Sequence, residues 1–253
     1  MKQHAEITLE PPRPFHSEGG SHDGTPALNG EPVDPAQLAE EMEPLSAREL
    51  IAWALETFGS ELKFAVSFQK TSSVIIDIAH SLDPSARFFY IDTDLLFEET
   101  YLTRDALAAR YGIEFERYAG ISLEEQERRY GANLWRRQPD ACCGIRKVEP
   151  MRDALSDASC WVSGIRRTDS QTRANAPKLA WDRRFGLWKL NPLADWTEQQ
   201  VWNYIQEKSL PYNPLHDRGY PSIGCVHCTR PTSGNDRSGR WFGFSKTECG
   251  ING

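Results

Sequence analysis

The chain has 253 residues, 39% of them hydrophobic and 26% charged, which suits one medium-sized domain with a substantial core and some polar appendage. A formal net charge of −7 argues against bulk nucleic-acid binding, which leaves a basic footprint, but it leaves room for a local basic pocket. No stretch approaches the roughly 20 apolar residues of a membrane span, and "MKQHAEITLEPPRPF" has no apolar signal segment; the expectation is a soluble, cytoplasmic protein with no membrane partner.

Residues 1–44 are rich in Pro, Gly, Glu, Ser and His and nearly lack aromatics, a composition that predicts a disordered tail. Ordered structure is expected from residue 45 to 236, with 237–253 as a separate carboxyl-terminal segment. Ser46 and Glu49 form a capping-box pattern, followed by apolar residues at helical spacing through Phe58. "FAVSF" (64–68) reads as a strand and "SVIIDIAHSL" (73–82) as an apolar helix. "RFFYID" (87–92) reads as a second strand, 98–112 as a helix and "IEFERY" (113–118) as a third strand. A helix over about 147–156 precedes a fourth strand in "CWVSGI" (160–165). Thr197 and Gln200 cap a last helix over 196–208. No internal repeat is visible. Strands alternating with helices predict an α/β fold: a single, mainly parallel twisted sheet with helices on both faces.

Ligands of such sheets bind at the carboxyl ends of the strands, so the loops after Phe68, Asp92 and Gly164 are the place to look. "SFQKTSS" (67–73) offers Ser67 and Ser72 hydroxyls and a helix amino terminus, fit to hold a phosphate or simply to cap the helix; it is not a glycine-rich P-loop. "YIDTDLLFEETY" places Asp92 and Thr93 at a second strand end, as nucleoside contacts or as helix caps. "GIRRTDSQTR" (164–173) concentrates Arg166, Arg167 and Arg173, whose planar forks match phosphate and sulfate oxygens in pairs. Three polar loops at three strand ends favour a small anionic ligand of nucleotide type.

Six cysteines in a reducing compartment point to metal or thiol chemistry rather than disulfides. Cys142 and Cys143 are adjacent, and Cys225 and Cys228 form a CxxC. Structural zinc recruits ligands two to four residues apart, whereas an iron–sulfur cube has separate metal corners that neighbouring cysteines can each take, so the CC pair favours a [4Fe–4S] cluster. Cys160 opens a strand and reads as a small buried hydrophobe. Cys249 lies outside the metal count, four residues from the last position. It is either a spare thiol or a nucleophile on a mobile tail, made reactive by nearby cations.

Together, "YIDTDLLFEETY", "CCGIRKVEP", "WVSGIRRTDSQTR", "LNPLADWTEQQVWNYI", "LPYNPLHDRGYPSIGCVHCTRP", "RSGRW" and "KTECG" resemble the assimilatory sulfonucleotide reductases, specifically those of iron–sulfur type that act on adenosine 5′-phosphosulfate (APS). The resemblance runs from about Phe64 to Gly250. It implies an adenine-nucleotide alpha hydrolase-like (PP-loop type) sheet with a flexible catalytic tail. It also implies Cys249 as nucleophile, an S-sulfocysteine intermediate, AMP and sulfite as products, and thioredoxin or a similar dithiol protein as donor. Cys142, Cys143, Cys225 and Cys228 would hold the cluster. Lys147 would link cluster and substrate, Arg237 and Arg240 would contact substrate, and Arg173 would belong to the arginine loop. A homo-oligomer is compatible with the sequence. The chain departs from the family pattern at Asn252, where histidine is usual, in "SFQKTSS", and at Gln138-Pro139-Asp140-Ala141. The rival readings are a 3′-phosphoadenosine 5′-phosphosulfate (PAPS) reductase, whose members generally lack the cluster cysteines; an ATP-using adenylyltransferase or tRNA-thiolating enzyme, which would carry a glycine-rich loop; and a non-enzymatic cluster-binding redox sensor.

Overall fold

Apolar residues alternate along the central strands, and this alternation divides the core into two faces. In Phe88-Phe89-Tyr90-Ile91, the even-numbered rings pack with Phe64, Val162, Trp188 and Leu190, while Phe89 and Ile91 pack with Trp161, Leu187 and Met151 on the opposite side. The computed structural model describes residues 26–234 and 237–252.

The strands are β1 (Ala27–Leu28), β2 (Glu31–Pro32), β3 (Leu62–Ala65), β4 (Arg87–Asp92), β5 (Glu116–Ala119), β6 (Cys160–Val162), β7 (Leu179–Asp182) and β8 (Leu187–Leu190). β1 and β2 form a small hairpin, and the others build one six-stranded sheet in the order β5-β4-β3-β6-β8-β7. All its pairings are parallel except β7 with β8. The helices are α1 (Pro35–Met42), α2 (Ala47–Phe58), α3 (Lys70–Leu82), α4 (Glu98–Tyr111), α5 (Leu123–Tyr130), α6 (Leu134–Arg137), α7 (Pro139–Cys143), α8 (Glu149–Ala154) and α9 (Glu198–Lys208). A π-turn at Gly144–Val148 joins α7 to α8. Apolar residues of α2, α3, α4 and α9 cover the first face of the sheet, and those of α8, with Phe185 and Ile251, cover the second. The expected α/β architecture is present. No helix among the described residues is long and apolar enough to cross a membrane.

Both predicted capping boxes form, at Ser46/Glu49 and Thr197/Gln200. Three differences have physical causes. First, residues 26–44, assigned by composition to a tail, hold β1, β2 and α1, while residues 1–25 lie outside the described part. Asp34 caps α1 ahead of Pro35, and Leu28, Val33, Leu38 and Met42 pack on the main core. Ala27 accepts a hydrogen bond from the Trp188 indole (2.9 Å), and Glu43 pairs with Arg167 (2.5 Å). Second, α3 starts at Lys70 rather than Ser73, because Lys70, Ser72 and Ser73 are buried in its first turn. Third, the β7–β8 hairpin extends the sheet beyond β6.

Trp161 lies on the second face, edge-on to Phe185, with the Lys189 ammonium 4.6 Å from its ring centroid. Trp161→Ala is expected to cost about 3–5 kcal/mol through the cavity it leaves, read as a lower denaturation midpoint.

Candidate active site

Parallel β3, β4 and β6 deliver their following loops to one edge, where they border a cavity of about 210 Å³, far more than one anion needs. Its wall is contributed by Ser67 and Ser72 after β3, Thr93 after β4, and Arg166 and Arg173 after β6. Lys147 comes from the π-turn, and Arg237, Arg240 and Cys249 from the carboxyl-terminal segment. Nine of the ten residues singled out for catalysis or substrate binding therefore meet around one space.

Asp92 is the exception. Its carboxylate accepts from Tyr101 Oη (2.7 Å), Arg117 Nε (2.7 Å) and the Asp94 amide (2.9 Å). Burial works against its charge, but Arg117 and Tyr101 outweigh that and hold it below the usual carboxylate range. The residue is absent from the cavity wall, and its role is to brace the strand end.

The loop after β3 turns through Phe68, whose φ of 54° is left-handed and unusual for an aromatic residue. Edge-on packing of Phe68 against Tyr90 and Phe115 holds it there. The turn lets the Ser67 amide donate to Ser72 Oγ (3.0 Å). The Lys70 amide donates to His216 Nε2 (3.2 Å), while His216 Nδ1 faces the Tyr220 carbonyl (2.8 Å). Burial, then the Lys70 charge, pushes His216 down to about 4, so it stays neutral.

Carboxylates orient the cations. Arg166 donates to Asp169 (3.1 Å) and Glu198 (2.6 Å), and Lys70 reaches the other Glu198 oxygen (2.9 Å). Arg173 grips Glu248 through two bonds of 2.8 Å. After these pairings, Arg166 Nη1, Arg237 Nε and Arg240 Nε remain buried without a protein partner. Buried donors normally find acceptors, so three orphaned guanidinium atoms around one cavity mark an anion site. Sequence reading missed Glu198, Lys70 and Asp169. Glu198 and Asp169 stand inside "DWTEQQ" and "RRTDSQ", but their pairing across the fold leaves no local trace.

The carboxyl-terminal segment lies docked along this edge. Arg184 donates to the carbonyls of Gly250 (2.7 Å) and Ile251 (2.6 Å), and Lys189 donates to Asn252 Oδ1 (2.9 Å). Lys246 pairs with Asp140. Burial raises the Cys249 pKa, yet Lys147, the Ile251 amide, Arg240 and Arg237 together bring it below the ordinary thiol value. Lys147 is in turn held above its usual value, since Cys225, Cys249 and Cys143 outweigh its burial.

On the other side of Lys147, the four paired cysteines line a second, small cavity with Trp135, His227 and Trp241. The π-turn places Cys142 and Cys143 at its entry and Lys147 within it. Arg146, fully buried, ties the turn to the loop after β4 through Thr93 O (2.7 Å) and Asp94 (3.0 Å). A Cβ on Gly120 would come within 2.5 Å of the Ile145 carbonyl, so only glycine admits the turn here. Cys225 bridges to Leu96, and its sulfur lies 3.3 Å from Thr93 Oγ1. All the cysteines are free thiols. Burial, then the neighbouring thiols, pushes Cys142 up to about 12 and Cys228 to about 11. Among the described residues, no three metal-ligating side chains converge as one ion requires. Four thiols lining one cavity are nonetheless the donor type that a metal centre recruits. Cys160 is buried in β6, as expected of a core residue.

Residues 61–231 match the phosphoadenosine phosphosulfate reductase domain family. The chain belongs to that family. It is an oxidoreductase of sulfate assimilation by that membership. It is 44% identical to the adenosine 5′-phosphosulfate reductase of Salinibacter ruber over 220 residues, 85% of this chain and 87% of that one. The protein of the same name from Geobacillus kaustophilus is 41% identical over 225 residues, covering 87% and 96%. Among solved structures, the phosphoadenylyl-sulfate (PAPS) reductase of Candida auris in its phosphate complex superposes with a TM-score of 0.68 at 32% identity, covering 77% of this chain and 95% of that one. The Candida glabrata FMN adenylyltransferase shares the fold alone, with a TM-score of 0.55 at 15% identity over 78% of this chain and 65% of that one.

The cationic surroundings of Cys249 predict an alkylation-versus-pH profile with its midpoint below the ~8.5 of a free thiol. Lys147→Met is expected to move that midpoint upward, because the thiolate loses its strongest cationic neighbour. Peptide mass spectrometry resolved to Cys249 provides the measurement.

Proposed function

We propose that the chain reduces adenosine 5′-phosphosulfate to sulfite and AMP, with Cys249 as the nucleophile. The observation that carries this reading is one cavity walled by a thiol of depressed pKa, Lys147 and three guanidinium groups with unspent donors.

The Cys249 thiolate attacks the sulfur of the phosphosulfate. The bond from that sulfur to the bridging oxygen breaks, AMP leaves with the electron pair, and Cys249 carries an S-sulfo group. Both partners of this step are anionic, so cations must surround them. Arg166, Arg237 and Arg240 would hold the phosphosulfate oxygens and stabilise the charge that moves onto the AMP phosphate. Ser67, Ser72 and Thr93 would offer hydroxyls to the nucleotide. A thioredoxin-like dithiol protein then attacks the Cys249 sulfur, sulfite departs, and its second thiol resolves the mixed disulfide; the two electrons come from that dithiol.

Cys142, Cys143, Cys225 and Cys228 would hold a [4Fe–4S] cluster. When bound, it supplies an electrostatic influence on the adjoining site and no electrons to the reaction. Lys147, lining both cavities, is the side chain through which that influence would reach the substrate. The 41–44% identity to proteins named for the APS reaction, against 32% to a PAPS reductase, supports the substrate without the 3′-phosphate.

An anaerobic assay of sulfite release from the two sulfonucleotides with a reduced dithiol protein tests the reading; preference for the 3′-phosphorylated one would overturn the substrate assignment. Mass spectrometry after mixing with APS should place an SO3 adduct on Cys249. Cys249→Ser is expected to keep about four irons per chain and form no adduct, whereas normal sulfite output from that variant would remove Cys249 from the mechanism. Arg240→Ala is expected to weaken AMP binding by roughly 10–100-fold, the effect of losing a charge-assisted contact, measured by calorimetry.

A further inference from the structure

The residues on both sides of Cys249 are engaged. After it, Arg184 holds the Gly250 and Ile251 carbonyls and Lys189 holds Asn252. Before it, Glu248 carries the densest set of contacts in the segment. Arg173 donates from Nε to Oε1 and from Nη2 to Oε2, both at 2.8 Å, a bidentate fork. Arg237 Nη2 adds a bond of 3.2 Å to Oε2, and the Thr172 hydroxyl one of 3.3 Å to Oε1. Only 9% of the Glu248 side chain is exposed, so this carboxylate is committed to its partners.

Arg173, Arg237 and Cys249 line the large cavity, and Glu248 does not. The carboxylate therefore meets the arginines from outside the ligand space and does not take the place of a ligand anion. Arg237 keeps its Nε unspent for that ligand.

We propose that Glu248 is a positioning residue: clamped by Arg173 and Arg237, it seats Cys249 beside Lys147 and Arg240 and fixes thiol and guanidinium groups as one unit. The proposal rests on Cys249 being the reacting thiol. It assigns to the residue before the nucleophile the task that a rigid loop performs in sites built mid-chain.

The sign of one measurement separates seating from mere proximity. The charged groups acting on Cys249 include Lys147, Arg240 and Arg237, with Cys143 as a neighbouring thiol. A carboxylate next to a thiol opposes thiolate formation, so if Glu248 were only a nearby charge, its removal would lower the Cys249 midpoint. If Glu248 seats the residue, its removal frees Cys249 from Lys147 and Arg240, and the midpoint rises.

The experiment is the pH profile of Cys249 alkylation, read by peptide mass spectrometry, in the anaerobically purified full chain. E248A is expected to raise the midpoint by roughly one pH unit toward that of a free thiol. E248D, which keeps the charge but shortens the reach by one methylene, should raise it as well, and it carries the test alone if E248A misfolds. Formation of the SO3 adduct from APS should slow roughly 10–100-fold in E248A, the scale of a misplaced reacting group. An unchanged or lowered midpoint in the folded variants overturns the proposal. The titration needs no turnover, so the two readings fail separately. A wild-type chain that forms no adduct, while E248A still raises the midpoint, defeats the functional reading alone. Adduct formation without the upward shift defeats the seating alone.

Discussion

Six cations, Lys70, Lys147, Arg166, Arg173, Arg237 and Arg240, crowd one cavity, and the rest of the site is arranged around the cost of keeping them there. Like charges in a partly dry space repel, and each buried guanidinium has given up water. The strain is visible in Arg237, which burial and then Arg240 and Arg173 pull down to about 10. Three carboxylates relieve the crowding, Asp169 from the cavity wall and Glu198 and Glu248 from behind it. Asp169 serves Arg166 and Arg173, Glu198 serves Arg166 and Lys70, and Glu248 serves Arg173 and Arg237. Each counter-ion leaves its arginine at least one direction of approach for a ligand anion or locks it to another part of the site. The result is a cationic pocket that is rigid before substrate arrives, the condition under which fixed donors favour a transition state over a ground state.

The π-turn extends the same logic to the cysteines. In an ordinary α-helical run Lys147 would share a face with Cys143, four residues before it, but would point well away from Cys142. The wider turn from Gly144 to Val148 instead puts both thiols on one small cavity and Lys147 on both. Arg146 holds this geometry with bonds to Thr93, Ile121 and Asp94, so the thiol cavity and the loop after β4 share one anchor. Trp241 completes the wall, and its amide donates to the Cys228 carbonyl at 3.0 Å. The chain segment carrying Arg237, Arg240 and Cys249 is thereby tied to the CxxC.

Local chemistry was legible in the sequence, and long-range pairing was not. Ser46 with Glu49 and Thr197 with Gln200 announce helix starts because the cap and its partner lie three residues apart. The cysteine pairs and the arginine loop announce themselves by composition. The β7–β8 hairpin escaped because Lys189 interrupts its apolar run, although the lysine is buried over Trp161. Residues 26–44 look too polar to fold, and their order comes from partners more than a hundred residues away, as with Ala27 on Trp188 and Glu43 on Arg167. Asp92 misled for the opposite reason: a carboxylate at a strand end has the right address, but Arg117 and Tyr101 claim it. Glu248 was in view inside a recognisable motif, yet its partner Arg173 lies 75 residues upstream, where no spacing rule reaches.

The position of Cys249 follows in the end from core packing just downstream of it. Ile251 joins the second face of the sheet with Met151, Trp161 and Phe185, and Asn252 meets Lys189. Burial pushes that ammonium down to about 8, so it needs an acceptor, and the Asn252 amide oxygen supplies one. If the segment left, an apolar side chain would return to water and a buried lysine would lose that acceptor. Two residues of the cavity wall, Ile251 and Asn252, therefore favour the docked segment, and Glu248 fixes its other end. The thiol between them is held by the same forces that close the core, which keeps it in a defined place beside Lys147.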